Sequence, residues 1–117
     1  METLCKIRDI YRSIYEFEHQ FEKEYNLSLN EGMLLCSLLN EGLLSSGQIA
    51  DALALSASNT SKIIKSVEIK GLIQRVLGQN DKRQMYFSLT PNGKATIQKI
   101  KATKLEIPKI LATIISA

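Results

Sequence analysis

Between residues 56 and 66 the chain reads Ser56-Ala-Ser-Asn-Thr-Ser-Lys-Ile-Ile-Lys-Ser66. Wound as a helix that continues to Lys70, it puts Thr60, Ile64 and Val67 on one stripe and gathers Ser58, Asn59, Ser61, Lys62, Lys65 and Ser66 on the other. Short amide and hydroxyl groups beside ammonium groups are the chemistry that hydrogen-bonds base edges and pairs with phosphates. Ser56 opens this helix as its cap, where free backbone N–H groups suit a phosphate oxygen. Further on, Gly78-Gln-Asn-Asp-Lys-Arg83 puts Lys82 and Arg83 at the tip of a turn. A thin cationic tip suits the negative potential of a minor groove.

Other chemistry is poorly supplied. His19 is the one histidine, and neither Cys5 nor Cys36 stands at metal-ligand spacing from it, so no metal and no cofactor are expected. There is no glycine-rich phosphate loop and no Ser-His-Asp or other nucleophile arrangement, which argues against an enzyme. Cys36 sits in an apolar run and reads as a small core residue.

Charge sharpens the picture. The 117 residues carry a formal net charge of +3, but residues 1–57 hold four Lys/Arg against nine Asp/Glu (net −5). Residues 58–104 hold ten against two (net +8), and residues 105–117 are neutral. The basic half is a candidate polyanion surface. Hydrophobic content of 44% supports a buried core. The longest apolar runs are far shorter than the ~20 residues of a membrane span. With no signal-peptide pattern at the start and two widely spaced cysteines, the expected location is cytoplasmic.

The elements that must position these groups follow from periodicity and caps. Leu4, Ile7, Tyr11, Ile14, Phe17, Phe21 and Tyr25 recur at helical spacing and predict one long amphipathic helix. Ser28-Leu-Asn-Glu31 has the form of a capping box before a nearly all-apolar helix from Leu29 to Asn40, ended by Gly42. Ser45-Ser-Gly-Gln48 repeats that cap before a short helix through Leu53. Ala54-Leu55-Ser56 is so short that this helix and the one from Ala57 to Lys70 must cross steeply, as in a helix-turn-helix.

Gly71 ends the second of these helices. Residues 72–77 and 84–89 then predict a two-stranded hairpin. Thr90-Pro-Asn-Gly93 starts a helix to about Lys104, and Pro108 starts a last one. The fold class is therefore mainly α with a small β-hairpin: a winged helix-turn-helix over residues 28–104, flanked by helices at 1–26 and 105–117, all in one domain.

With these pieces in place the chain resembles the MarR family of bacterial winged-helix transcriptional regulators. The likeness rests on Ser46-Gly-Gln-Ile-Ala-Asp-Ala-Leu-Ala-Leu-Ser56, on Ser61-Lys-Ile-Ile-Lys-Ser-Val-Glu-Ile-Lys-Gly-Leu-Ile-Gln-Arg75, and on Asn80-Asp-Lys-Arg-Gln-Met-Tyr-Phe-Ser-Leu-Thr-Pro-Asn-Gly93. It implies that the chain is a sequence-specific DNA-binding regulator, in the family's commoner mode a repressor. Arg83 would be the wing arginine that enters the minor groove, and Asp81 the acid that positions basic side chains there. The family usually has a basic residue or two more in the wing, so wing affinity is expected to be modest.

Family members pair through their ends. Leu4, Ile7, Tyr11 and Ile14 with Ile107, Ile110, Leu111 and Ile114 form the expected homodimer face, which a winged-helix core alone would leave uncovered. Two-fold symmetry would set the recognition helices roughly 34 Å apart on a palindromic operator. Relatives also bind small aromatic ligands, so a small-molecule effector is a further expectation, although Tyr11, Tyr15, Tyr25 and Met33 read as core. Cys5, near the start, reads as incidental; some relatives sense oxidants through a cysteine of the first helix with tyrosines nearby, and Tyr11 and Tyr15 lie close to Cys5 in the chain. The competing reading is a winged-helix protein-interaction or dimerisation module without specific DNA binding; it calls for apolar anchors on the recognition face.

Overall fold

A computed structural model describes residues 2–78, 81 and 83–116. Its element order is α1 (Glu2–Tyr25), α2 (Leu29–Glu41), β1 (Leu44–Ser45), α3 (Ser46–Leu53), α4 (Ala57–Ile69), β2 (Ile73–Leu77), β3 (Met85–Leu89), α5 (Pro91–Ala102) and α6 (Lys109–Ile115). This is the mainly helical, winged helix-turn-helix architecture that the periodicity and caps predict. The chain divides into two compact units, one of residues up to Leu29 together with those from Lys104 onward, the other Asn30–Thr103.

In the first unit α1 packs with α6, and the Leu29 N–H donates to Glu18 Oε2 at 3.1 Å. Phe21 is the buried residue of α1, in ring contact with Phe17 and Tyr25. Leu4, Ile7, Tyr11 and Ile14 are exposed, as are Ile110 and Ile114 of α6, whereas Ile107 and Leu111 are half-buried. Pro108 does not take the first helical position; it stands as the cap, at φ −52°, ψ 143°, with the helix beginning at Lys109.

The second unit holds the winged helix. Its core gathers Leu34, Leu35 and Leu38 of α2, Ile49 of α3, Ile64 and Val67 of α4, Ile73 and Phe87 of the sheet, and Ile97 and Ile100 of α5. The cap chemistry appears where the spacing places it. Ser45 Oγ accepts from the Gln48 N–H at 3.2 Å while Gln48 Oε1 accepts from the Ser45 N–H at 2.8 Å, a complete capping box. Ala54 takes φ +55° between α3 and α4, and this left-handed residue lets so short a link reverse direction.

The sheet is larger than the predicted hairpin. It has three antiparallel strands in the order β1-β3-β2, with Leu44 opposite Phe87 and Ser45 opposite Tyr86. Two residues are too few to show alternation, so β1 has no periodic signature of its own.

Thr90 ties the end of α4 to the start of α5. Its hydroxyl donates to Gly71 O at 2.7 Å and accepts from the Gly93 N–H at 3.0 Å, and its own N–H donates to Leu72 O at 3.1 Å. Gly71, at φ +74°, makes the turn out of α4.

Candidate nucleic-acid interface

The site is built on α4 and the β2–β3 wing. Ser56 caps α4, its Oγ accepting from the Asn59 N–H at 3.1 Å, and the Thr60 hydroxyl donates to Ser56 O at 2.7 Å. Thr60, Ile64 and Val67 face the core. Ser56, Ser58, Asn59, Ser61, Lys62 and Lys65 are exposed, so one side of α4 offers amide, hydroxyl and ammonium groups together. Ser66 departs from the expected arrangement. It is half-buried and donates from Oγ to Glu31 Oε2 of α2 at 2.6 Å, which takes it out of the exposed set.

In the wing, Gly78 N–H donates to Gln84 O at 2.8 Å and Gln84 N–H to Asp81 O at 3.0 Å, closing the tip. A Cβ on Gly78 would lie 2.6 Å from Asp81 O, so the turn as built needs glycine there. Asp81 Oδ1 accepts from the Arg83 backbone N–H at 2.9 Å and from Nε at 3.2 Å, and Oδ2 accepts from Nη2 at 3.3 Å. The Arg83 side chain is nonetheless 92% exposed. Asp81 therefore aims a guanidinium that stays open to solvent. The Arg83 side chain first, then its backbone N–H, hold the Asp81 carboxyl below the usual carboxylate range. Lys82 lies outside the described residues.

Two ion pairs in this unit have no counterpart in the sequence reading. Arg75 of β2 bonds Glu68 of α4 through Nε at 2.8 Å and Nη2 at 2.9 Å, and its guanidinium carbon sits 5.6 Å from the ring centre of Phe87, its cross-strand partner. This two-pronged pair joins the wing to α4. The Arg75 hydrogen bonds hold Glu68 below the usual carboxylate range against a smaller opposing effect of burial. A carboxyl whose folded pKa is depressed contributes stability above its unfolded pKa and loses it as pH falls through the folded value. We therefore predict that Glu68→Gln lowers stability near neutral pH by no more than about 1 kcal/mol, since Arg75 is largely in water. The gap from wild type should close in acid, as read from urea midpoints at about pH 7 and pH 3; a gap unchanged at low pH would exclude the ion pair as its source.

The second pair involves Glu31, read from its spacing as half of a capping box. Its carboxylate accepts from Ser66 Oγ and from Lys70 Nζ, the latter at 3.1 Å to each oxygen. The available signal was its position three, four and seven residues before Leu34, Leu35 and Leu38, on the apolar face of α2.

Among the described residues, no group of three or more His, Cys, Asp and Glu side chains is placed to hold a metal ion, and no helix is long and apolar enough to cross a membrane. The exposed large apolar residues on α4 and β2 are Ile69 and Leu77. Ile69 ends α4, about 15 Å along the axis from Asn59, so the polar stretch near the helix start carries no apolar anchor.

A helix-turn-helix followed by a two-stranded wing, with a polar and basic outer helix, defines a winged-helix protein. The MarR family model matches residues 27–85, and the chain belongs to that family. It is 28% identical over 104 residues to an uncharacterised HTH-type transcriptional regulator, YwaE, of Bacillus subtilis (strain 168), covering 86% of this chain and 61% of that one. It spans between 44% and 61% of the length of the first curated relatives it matches.

Among solved structures, the transcriptional regulator BldR from Sulfolobus solfataricus superposes with a TM-score of 0.74 at 27% identity, over 84% of this chain and 70% of that one. The S. aureus MepR–DNA complex superposes with a TM-score of 0.67 at 22% identity, over 82% and 79%, a likeness of fold.

Proposed function

We propose that this chain binds duplex DNA as a transcriptional regulator, with the outer side of α4 in the major groove and the Arg83 tip in the adjacent minor groove. The observation that carries this is the joint exposure of Ser58, Asn59, Ser61, Lys62 and Lys65 on α4, beside a wing arginine aimed by Asp81. Amide and hydroxyl groups read base edges there and the lysines reach bases or phosphates. The N-terminus of α4 at Ser56 offers N–H groups to a phosphate. The DNA complex of MepR, a protein of the same fold, supports the reading.

The exposed stripe of Leu4, Ile7, Tyr11 and Ile14, with Ile110 and Ile114, supports pairing of two copies. A two-fold pair reads a palindromic site, and occupancy of such a site near a promoter gives repression.

The test is selection from a library of random duplexes at physiological salt. Enrichment of one sequence class with symmetric half-sites about one turn apart is expected. Recovery of no class above the input would overturn the proposal.

A further inference from the structure

Glu31 is an acid in an apolar setting: its side chain is 7% exposed, among Leu34, Leu35 and Leu38 on the buried side of α2. A buried carboxylate is costly unless it is paired and hydrogen-bonded. Two donors come from α4 and its end: Ser66 within the helix and Lys70 at its C-cap. Ser66 Oγ bonds it at 2.6 Å and Lys70 Nζ bridges both oxygens at 3.1 Å. Ser66 and Lys70 are four residues apart and so lie on one side of the helix.

Besides these bonds, α4 buries Ile64 and Val67 in the core and packs against α3, with the Thr60 hydroxyl donating to its own backbone at Ser56 O. The apolar stripe decides which side of α4 faces the core, and charge-assisted hydrogen bonds, being directional, add a finer constraint on its rotation and height. A turn or shift of α4 too small to expose Ile64 and Val67 still moves its outward side chains relative to a base edge, and hydrogen bonds at the last turn leave little room for it. On the opposite side, about 200° from Ser66 around the axis, Glu68 is held by Arg75. The last turn of α4 is thus fixed from both flanks by ionic hydrogen bonds.

We infer that Glu31 is a positioning residue for DNA recognition: through Ser66 and Lys70 it sets the rotation and height of α4, and with them which side chains meet base edges. The inference rests on the DNA-binding reading above. It also reassigns Ser66, which acts through Glu31 and not on a base.

The experiment measures binding of the full chain to the duplex selected by the wild type and to a scrambled duplex of equal length and composition. Glu31→Met fills the same space without polar atoms and leaves Lys70, part-exposed at 29%, able to reach water. It is expected to lower the ratio of selected to scrambled affinity about tenfold, the weight of one well-made base contact. Scrambled affinity and its salt slope should be unchanged, because no phosphate contact is removed.

Ser66→Ala, which leaves Glu31 with Lys70, should lower the ratio about threefold, and the double variant should lose no more than Glu31→Met alone. Thermal midpoints and active fractions, measured alongside, separate loss of fold from loss of aim.

Ratios equal to wild type in both single variants would overturn the inference. So would additive losses in the double variant, which would make Ser66 a direct base contact, and so would a fall confined to the active fraction. A wild type with no preferred duplex would instead remove the DNA-binding reading itself, and this inference with it.

Discussion

Replacing Gly93 with alanine is expected to destabilise the winged-helix unit by about 3–5 kcal/mol, a large share of the roughly 5–15 kcal/mol of an ordinary domain. A Cβ there would lie 1.9 Å from Leu72 O and 2.8 Å from Leu72 C, both backbone atoms. Neither side can yield cheaply. Leu72 O is held by the Thr90 N–H, and Gly93 N–H is held by the Thr90 hydroxyl, which also bonds Gly71 O. Relief of the clash therefore breaks the joint between the exit of α4 and the start of α5. Gly47→Ala is the control: the nearest atom to its Cβ is Ser45 Oγ at 4.0 Å, so alanine in α3 should stabilise by up to about 1 kcal/mol. Urea midpoints followed by circular dichroism decide the matter. A Gly93→Ala midpoint equal to wild type would show that this approach of α5 to Leu72 is wrong.

The second large effect concerns binding. Lys62 and Lys65 are both exposed on α4. If each neutralises one phosphate, log K falls with log salt by about 0.9 per contact, so at about 0.1 M salt each contact is worth roughly tenfold. Lys62→Ala/Lys65→Ala is thus expected to weaken binding to the selected duplex about a hundredfold, with the fold intact because neither side chain is buried. Fluorescence anisotropy at fixed salt measures it; a loss under threefold would remove these lysines from the interface.

Much of the fold is legible in the residues because helix ends are local chemistry. Ser45 with Gln48, Ser56, and Thr90 before Pro91 each satisfy N–H groups within three residues, and all three stand as caps in the structure. The wing is legible for the same reason, as two apolar runs around a polar turn. What spacing misses is tertiary. The β1 strand exists only because β3 supplies its partners. Helical geometry puts Ser66 on the outer side of α4, and only the arrival of Glu31 from 35 residues away turns it inward. The Glu68–Arg75 pair likewise depends on the wing folding back beside α4. The +8 segment sharpened the polyanion reading, yet among its described cations Lys70, Arg75 and Arg83 each form an ion pair within the protein, with only the Arg83 side chain left almost fully exposed.

In the proposed binding mode α4 and the wing together contact the phosphates of one duplex. The most direct test is the salt dependence of binding for the wild type and for Lys62→Ala/Lys65→Ala/Arg83→Ala on the selected duplex. The slope of log K against log salt is expected to be shallower by about 2.7 in the variant, three contacts at about 0.9 each. Superimposable slopes and affinities would contradict this binding mode.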